Sequence, residues 1–128
     1  DLINTSSTTS VMVSTIDCEL VTRNIEQLCF LKIDVEGFDF HVLKGASSSL
    51  KDEKIGIIQF EYSGFWRYAG STLCRALRYL NDFGFDIYLL TPGGLVPAMY
   101  EPWGEYYGYA NYVAVSHKWR EVVKEIVF

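Results

Sequence analysis

A strand-length apolar run, Phe30 to Val35, stops at Gly37 and gives way to Val42, Leu43, Ala46 and Leu50 at helical spacing. A run this apolar belongs to a strand covered on both faces, which is the habit of parallel sheets with helices packed over them. The same unit recurs downstream. Ile55 to Tyr62 predicts a second, central parallel strand, and Ser71 opens a helix whose stripe is Leu73, Ala76, Leu77 and Leu80, with Gly84 as its C-terminal cap. Upstream, a polar loop at residues 3–10 leads into a short strand at Val11 to Ile16. Asp17 then caps a helix carrying Leu20, Val21, Ile25 and Leu28. Downstream, Phe85 to Leu90 and Tyr109 to Val115 predict two strands flanking the Thr91-Pro92-Gly93-Gly94 turn and an aromatic loop. A helix capped by Ser116 carries Trp119, Val122, Val123, Ile126 and Val127. The order β, α, β, α, β, α, β, β, α predicts an α/β fold, mostly parallel, whose last two strands pair antiparallel at one edge.

Composition narrows the function classes. The 128 residues hold 49% apolar and 21% charged side chains, enough to build a core and form one domain. A net charge of −5 without a basic cluster argues against nucleic acid. No apolar run approaches the roughly 20 residues that span a bilayer, so no membrane is expected. Cys18, Cys29 and Cys74 are odd in number and form no C-x-x-C pair, which predicts free thiols and a cytoplasmic location rather than a disulfide framework or a zinc site.

In open α/β sheets ligands bind beyond the carboxyl ends of the strands, where Asp34, Glu36 and, one strand over, Glu61 would gather. Lys32 inside a doubly covered strand would need an ion pair with one of these acids. Glu36 has a plainer alternative as a charge favoured by a helix N-terminus. A divalent metal held by Asp34, Glu61 and water is a further alternative, although no metal site is the first expectation. His41 on the next helix is within range of the cleft, but a lone surface histidine is the commoner case. Tyr62, Phe65, Trp66 and Tyr68 follow where the second strand opens and are the candidate substrate contacts. The loop holding Tyr100, Trp103, Tyr106 and Tyr107 suits either stacking on a flat ligand or closing the sheet edge as a lid.

The run Leu31-Lys32-Ile33-Asp34-Val35-Glu36-Gly37, followed by Val42-Leu43-Lys44-Gly45-Ala46, resembles the LKIDVEG…VLKGA signature of the FkbM family of S-adenosylmethionine-dependent methyltransferases. Thr15-Ile16-Asp17 is similar to the family's T-L-D element, and Gln59-Phe60-Glu61-Tyr62 occupies the strand that ends in an acid in the family. The resemblance covers residues 11–62 most strongly. It implies a class I methyltransferase-like, Rossmann-like sheet and O-methylation of a small-molecule or glycan hydroxyl. Asp34 would then lie beside the transferring methyl, in contact with the cofactor, with Glu36 or Glu61 as base.

The family's cofactor half is not matched. Gly93-Gly94 falls in a late turn and Gly104 and Gly108 in the aromatic loop, so none follows a first strand and opens a helix. Residues 1–128 therefore read as one partial domain, the C-terminal half of the fold, inactive without the rest. In that fold the strand at residues 30–35 would lack one neighbour, which predicts self-association, as a homodimer, through its free edge. A non-catalytic carbohydrate-binding or interaction module using the aromatic loop is the alternative function.

Overall fold

The computed structural model describes residues 8–101 and 104–128, and the expectations for residues 3–7 and Trp103 fall outside them. Residues 8–15 form no strand, so the one expected at Val11 to Ile16 is absent: Val11, Met12 and Val13 are exposed and have no partner strand among the described residues. Helix α1 (Ile16–Thr22) begins there instead, capped by Thr15, whose hydroxyl accepts the Cys18 N–H. It ends before Ile25 because Asn24 turns into the left-handed region (φ 54°).

Strand β1 (Leu28–Ile33) takes up Leu28, which was expected on the helix, and stops one residue before Asp34. The single helix expected around Val42 to Leu50 is two, α2 (Asp39–Lys44) and α3 (Ser47–Lys51). They part at Gly45, whose carbonyl accepts the Asp17 N–H of α1 and whose α-carbon lies against Thr15. The Asp17 side chain does not cap its own helix. It accepts the Ser48 and Ser49 N–H groups at 2.9 and 2.8 Å and so holds the start of α3.

Strand β2 (Ile55–Tyr62) runs parallel to β1, with Ile33 opposite Phe60. After it come a 3-10 turn (Gly64–Arg67) and α4 (Leu73–Asp82), capped by Thr72 rather than Ser71. Strands β3 (Phe85–Thr91) and β4 (Gly94–Pro97) form a hairpin. Strand β5 (Ala110–Ser116) lies between β2 and β3, antiparallel to both. The sheet order is β1-β2-β5-β3-β4. The expectation of a mostly parallel sheet is thereby corrected: the sheet is mixed, and β1–β2 is its only parallel pair among the described residues. β5, inserted between two strands of like direction, is antiparallel to both, and the β3–β4 hairpin supplies the third antiparallel pair.

Alternation divides the side chains between two cores. Ile58, Phe60, Tyr112, Ala114 and Ile87 pack with Phe40, Leu43, Leu50 and the α4 stripe, while Val113, Val115 and Leu95 pack with Val123 of α5 (Arg120–Val123). Each such side chain fully buried is worth roughly 1.5–3 kcal/mol. Gly56 in β2 is required because a Cβ there would meet the Trp119 ring at 2.6 Å. The expected last helix is correspondingly short. Beyond it Leu95 N–H donates to Ile126 O and Phe128 N–H to Leu95 O, so the chain end runs along β4.

Candidate active site

The parallel register places the site. One residue beyond the Ile33–Phe60 pair stand Asp34 and Glu61, side by side at the carboxyl ends of β1 and β2. The chain then turns sharply. Glu36 and Gly37 both have positive φ (53° and 96°), and a Cβ on Gly37 would meet the Phe65 backbone at 2.6 Å, so only glycine fits.

Asp39 secures this turn. Its side chain is fully buried; Oδ2 accepts the Gly37 N–H at 3.2 Å and Oδ1 accepts the Glu61 N–H at 3.3 Å. One carboxylate thus ties the turn after β1 to the end of β2. Burial pushes the Asp39 pKa up, its backbone hydrogen bonds oppose this, and the Asp34 charge adds to it. Asp39 is a positioning residue that the sequence reading passed over. Its signal was a fourth acid close behind Asp34 and Glu36, indistinguishable by pattern from an ordinary first-turn helix acid.

Glu61 is half-buried, and its pKa is raised by burial first and then by the Asp34 charge, with smaller contributions from Asp39 and Glu36; a hydrogen bond from Tyr109 opposes the rise. Asp34 and Glu36 are exposed. Lys32 Nζ donates to Asp34 Oδ2 at 2.9 Å, so the expected ion pair exists. It is not buried, because β1 is an edge strand and both side chains are about half exposed. Solvent screens such an exposed pair, and it leaves Asp34 open to a ligand. Gln59 Nε2 donates to Asn111 Oδ1 at 3.0 Å, and Asn111 Nδ2 reaches Tyr109 Oη at 3.5 Å, giving Glu61 a polar flank from β5.

The candidate substrate contacts divide. Phe65 and Tyr68 are exposed, at 53% and 82%, and Phe65 lies against the Gly37 turn. Tyr62 and Trp66 are fully buried and out of reach of a substrate: both pack against Phe60 and Tyr112 or each other, and Trp66 Nε1 donates to Glu61 O at 2.8 Å. They support Glu61 from beneath. His41 lies apart from the acids. Burial and the Lys44 and Arg75 charges lower its pKa, the reverse of what a carboxylate cleft would do.

The described part of the aromatic loop packs as a lid. Tyr107 stacks on Tyr62, Tyr106 and Tyr112 share a hydroxyl hydrogen bond of 2.8 Å, and Tyr62 Oη donates to Glu105 Oε2 at 2.9 Å. Glu105 also accepts the Leu73 and Cys74 N–H groups, each at 2.9 Å, at the start of α4. Among the described residues no three acids, histidines or cysteines converge as a metal-binding group. No helix among them is long and apolar enough to cross a membrane.

The α/β fold, a five-stranded mixed sheet with acids at the carboxyl ends of its parallel pair, is consistent with a methyltransferase-like fold. The family model for the methyltransferase FkbM domain matches residues 2–87, about two-thirds of the chain, and the chain belongs to that family. No curated protein and no solved structure matches it.

Proposed function

We propose that this chain supplies the reacting end of an O-methyltransferase that takes its methyl group from S-adenosylmethionine and transfers it to a hydroxyl of a small molecule or glycan. The observation that carries the reading is the juxtaposition of Asp34 and Glu61 at the ends of β1 and β2, within the segment that matches the family. The donor brings an electrophilic methyl on a cationic sulfur. The acidic edge suits that cation: Asp34 and Glu36 are exposed carboxylates beside it, and Asp34 would lie nearest the sulfur.

Glu61 acts as base. With the donor bound, whose sulfonium would supply the methyl group and be left as a neutral thioether, the Glu61 carboxylate would take up the proton that the acceptor hydroxyl loses. A raised pKa suits a group that must accept that proton near neutrality. Asp39 keeps Glu61 and the turn in register, and Phe65 and Tyr68 flank the acceptor.

The adenosine end of the donor finds less here. At this edge the turn from β1 to α2 carries a single glycine, Gly37, with Phe65 closing over it, and the connection from β2 to α4 holds Gly64 and Gly70 around a 3-10 turn and not a glycine-rich loop opening straight into a helix. The chain is therefore read as a partial domain, the C-terminal half of a class I methyltransferase-like fold. It is expected to bind S-adenosylmethionine no more tightly than about 1 mM, or about −4 kcal/mol, in a calorimetric titration. Affinity near a micromolar would overturn that division of labour. Transfer itself is tested on the complete methyltransferase domain, by incubating it with labelled donor and a panel of hydroxyl acceptors and reading label in the product.

The free thiols Cys18, Cys29 and Cys74 fit a reducing compartment, and we place the protein in the cytoplasm. Strand β1 is a sheet edge with Phe30 half exposed, which supports association of two chains through residues 30–35. Sedimentation at about 100 μM, where exposed edges associate, should show a dimer that Phe30→Lys returns to monomer. A wild-type monomer would dispose of the idea.

A further inference from the structure

The sheet forks at the edge that carries the acids. Strands β3 and β5 pair from Phe85–Ser116 as far as Leu89–Tyr112 and no further. Beyond that point Leu90 and Thr91 pair with β4, whereas Asn111 and Ala110 pair with Glu61 and Tyr62 of β2. The two arms diverge and leave an open groove of about 1010 Å³, at the top of the roughly 300–1,000 Å³ range of small-molecule sites.

Its walls are apolar. Leu90, Pro92, Val96 and Met99 line one side, and the Tyr106 and Tyr109 rings line the other. Leu90 and Val96 are each 41% exposed and Met99 69%, a concentration of bare apolar surface of the sort that marks a binding site. No charged side chain lines the groove among the described residues, so nothing there compensates a charged occupant.

The polar side chains that line it already have partners. Thr91 Oγ1 donates to Gly94 O, the Tyr106 and Tyr112 hydroxyls bond each other, and Asn111 is held by Gln59 and Tyr109. A sugar seated here would bury several hydroxyls against groups with little left to offer. The groove is also directional. Asn111 lines it and stands opposite Glu61 in the β2–β5 ladder, and Tyr109, also in its wall, offers the hydroxyl that Asn111 Nδ2 reaches at 3.5 Å.

We propose that this fork binds the apolar body of a neutral acceptor and presents its hydroxyl past Tyr109 and Asn111 to Glu61, so that the acceptor is a hydrophobic alcohol or phenol and not a glycan. The link to Glu61 rests on the methyl-transfer reading; the apolar site itself does not.

The test uses the full chain without donor and the neutral fluorophore N-phenyl-1-naphthylamine. Its emission should rise on binding, 1-decanol should displace it, and maltose should not. Val96→Glu and Leu90→Glu should each weaken binding at least about tenfold by placing a charge in the apolar wall, while Val21→Glu on α1 should not. Circular dichroism checks the fold, and if either groove variant is unfolded, Met99→Lys on the exposed loop decides. No fluorophore binding by the folded chain, groove variants that bind as well as wild type, or displacement by maltose in place of decanol would each overturn the proposal. Because no methyl group moves in this assay, failure of methyl transfer with intact probe binding counts against the proposed activity alone.

Discussion

The two edges of the sheet treat carboxylates in opposite ways. At the amino end of β3, Asp86 is held by a bidentate pair with Arg120, and His117 Nε2 stands 3.4 Å away; the Arg120 hydrogen bond leads in lowering its pKa despite partial burial. At the carboxyl ends of β1 and β2, Glu61 and Asp39 have raised pKa values, with burial the leading cause and neighbouring acids adding to it. Asp86 has neighbours that favour its charge, and so does Asp17: burial raises the Asp17 pKa, but hydrogen bonds from Ser49 and Ser48 prevail and lower it. Asp86 and Asp17 sit where charge is welcome. Glu61 and Asp39 sit where it is opposed, which for Glu61 is the arrangement expected of a group that exchanges protons.

The sharpest way to break this contrast is to neutralise one acid of each kind. In the complete methyltransferase domain, Glu61→Gln should cut turnover at saturating donor by about 10²–10⁴-fold, the usual contribution of a general base, without lowering the melting temperature at neutral pH. Turnover within threefold of wild type would make Glu61 a structural acid. Asp17→Ala should do the reverse, removing hydrogen bonds to a charged acceptor and costing about 2 kcal/mol in chemical denaturation while turnover at saturation stays put. A stability loss below the error of that measurement would mean the α1–α3 tie is idle.

The smallest effect is in the pH dependence of stability. For Asp17 and Asp86 the folded pKa lies below the ordinary 3.8, so their stabilisation is present above 3.8 and lost as pH falls through the lowered values. For Asp39 and Glu61 the folded values lie above the ordinary 3.8 and 4.5, so their contribution is fully present below those values and lost as pH rises through the raised ones. Asp39→Asn should therefore flatten the decline in melting temperature on the alkaline side of pH 3.8, and Asp86→Asn should flatten the decline on the acid side. Identical profiles for the two variants would erase the distinction.

Much of this edge was legible in the chain. Lys32 and Asp34 interrupt an apolar run, Gly37 follows, and an acid closes the next run; that is enough to place Asp34 beside Glu61 once the two strands are parallel neighbours. The antiparallel pairing of β3 with β5 was legible as well, but not its place inside the sheet, because alternating elements specify which strands are adjacent in sequence and not which one slips between two others, as β5 does. Strand β4 is short and ends in Pro97, so it passed as loop. Tyr62 and Trp66 looked like substrate contacts because composition does not distinguish an aromatic that lines a cleft from one that lies beneath it. Asp39 escaped because its partners are backbone amides, one of them on another strand.

Glu105 has a consequence for the order in which the molecule loosens. Its carboxylate joins Tyr62, 43 positions away, to the first amides of α4, 32 and 31 positions away, and the Tyr62 hydroxyl in turn accepts the Tyr107 N–H at 3.0 Å. A strand end, a helix start and a loop thus share one node, and none can open without exposing the others' polar groups. The amide protons of Leu73, Cys74 and Tyr107 belong to a single opening unit and should exchange with solvent at a common rate, although they lie in segments that do not adjoin along the chain.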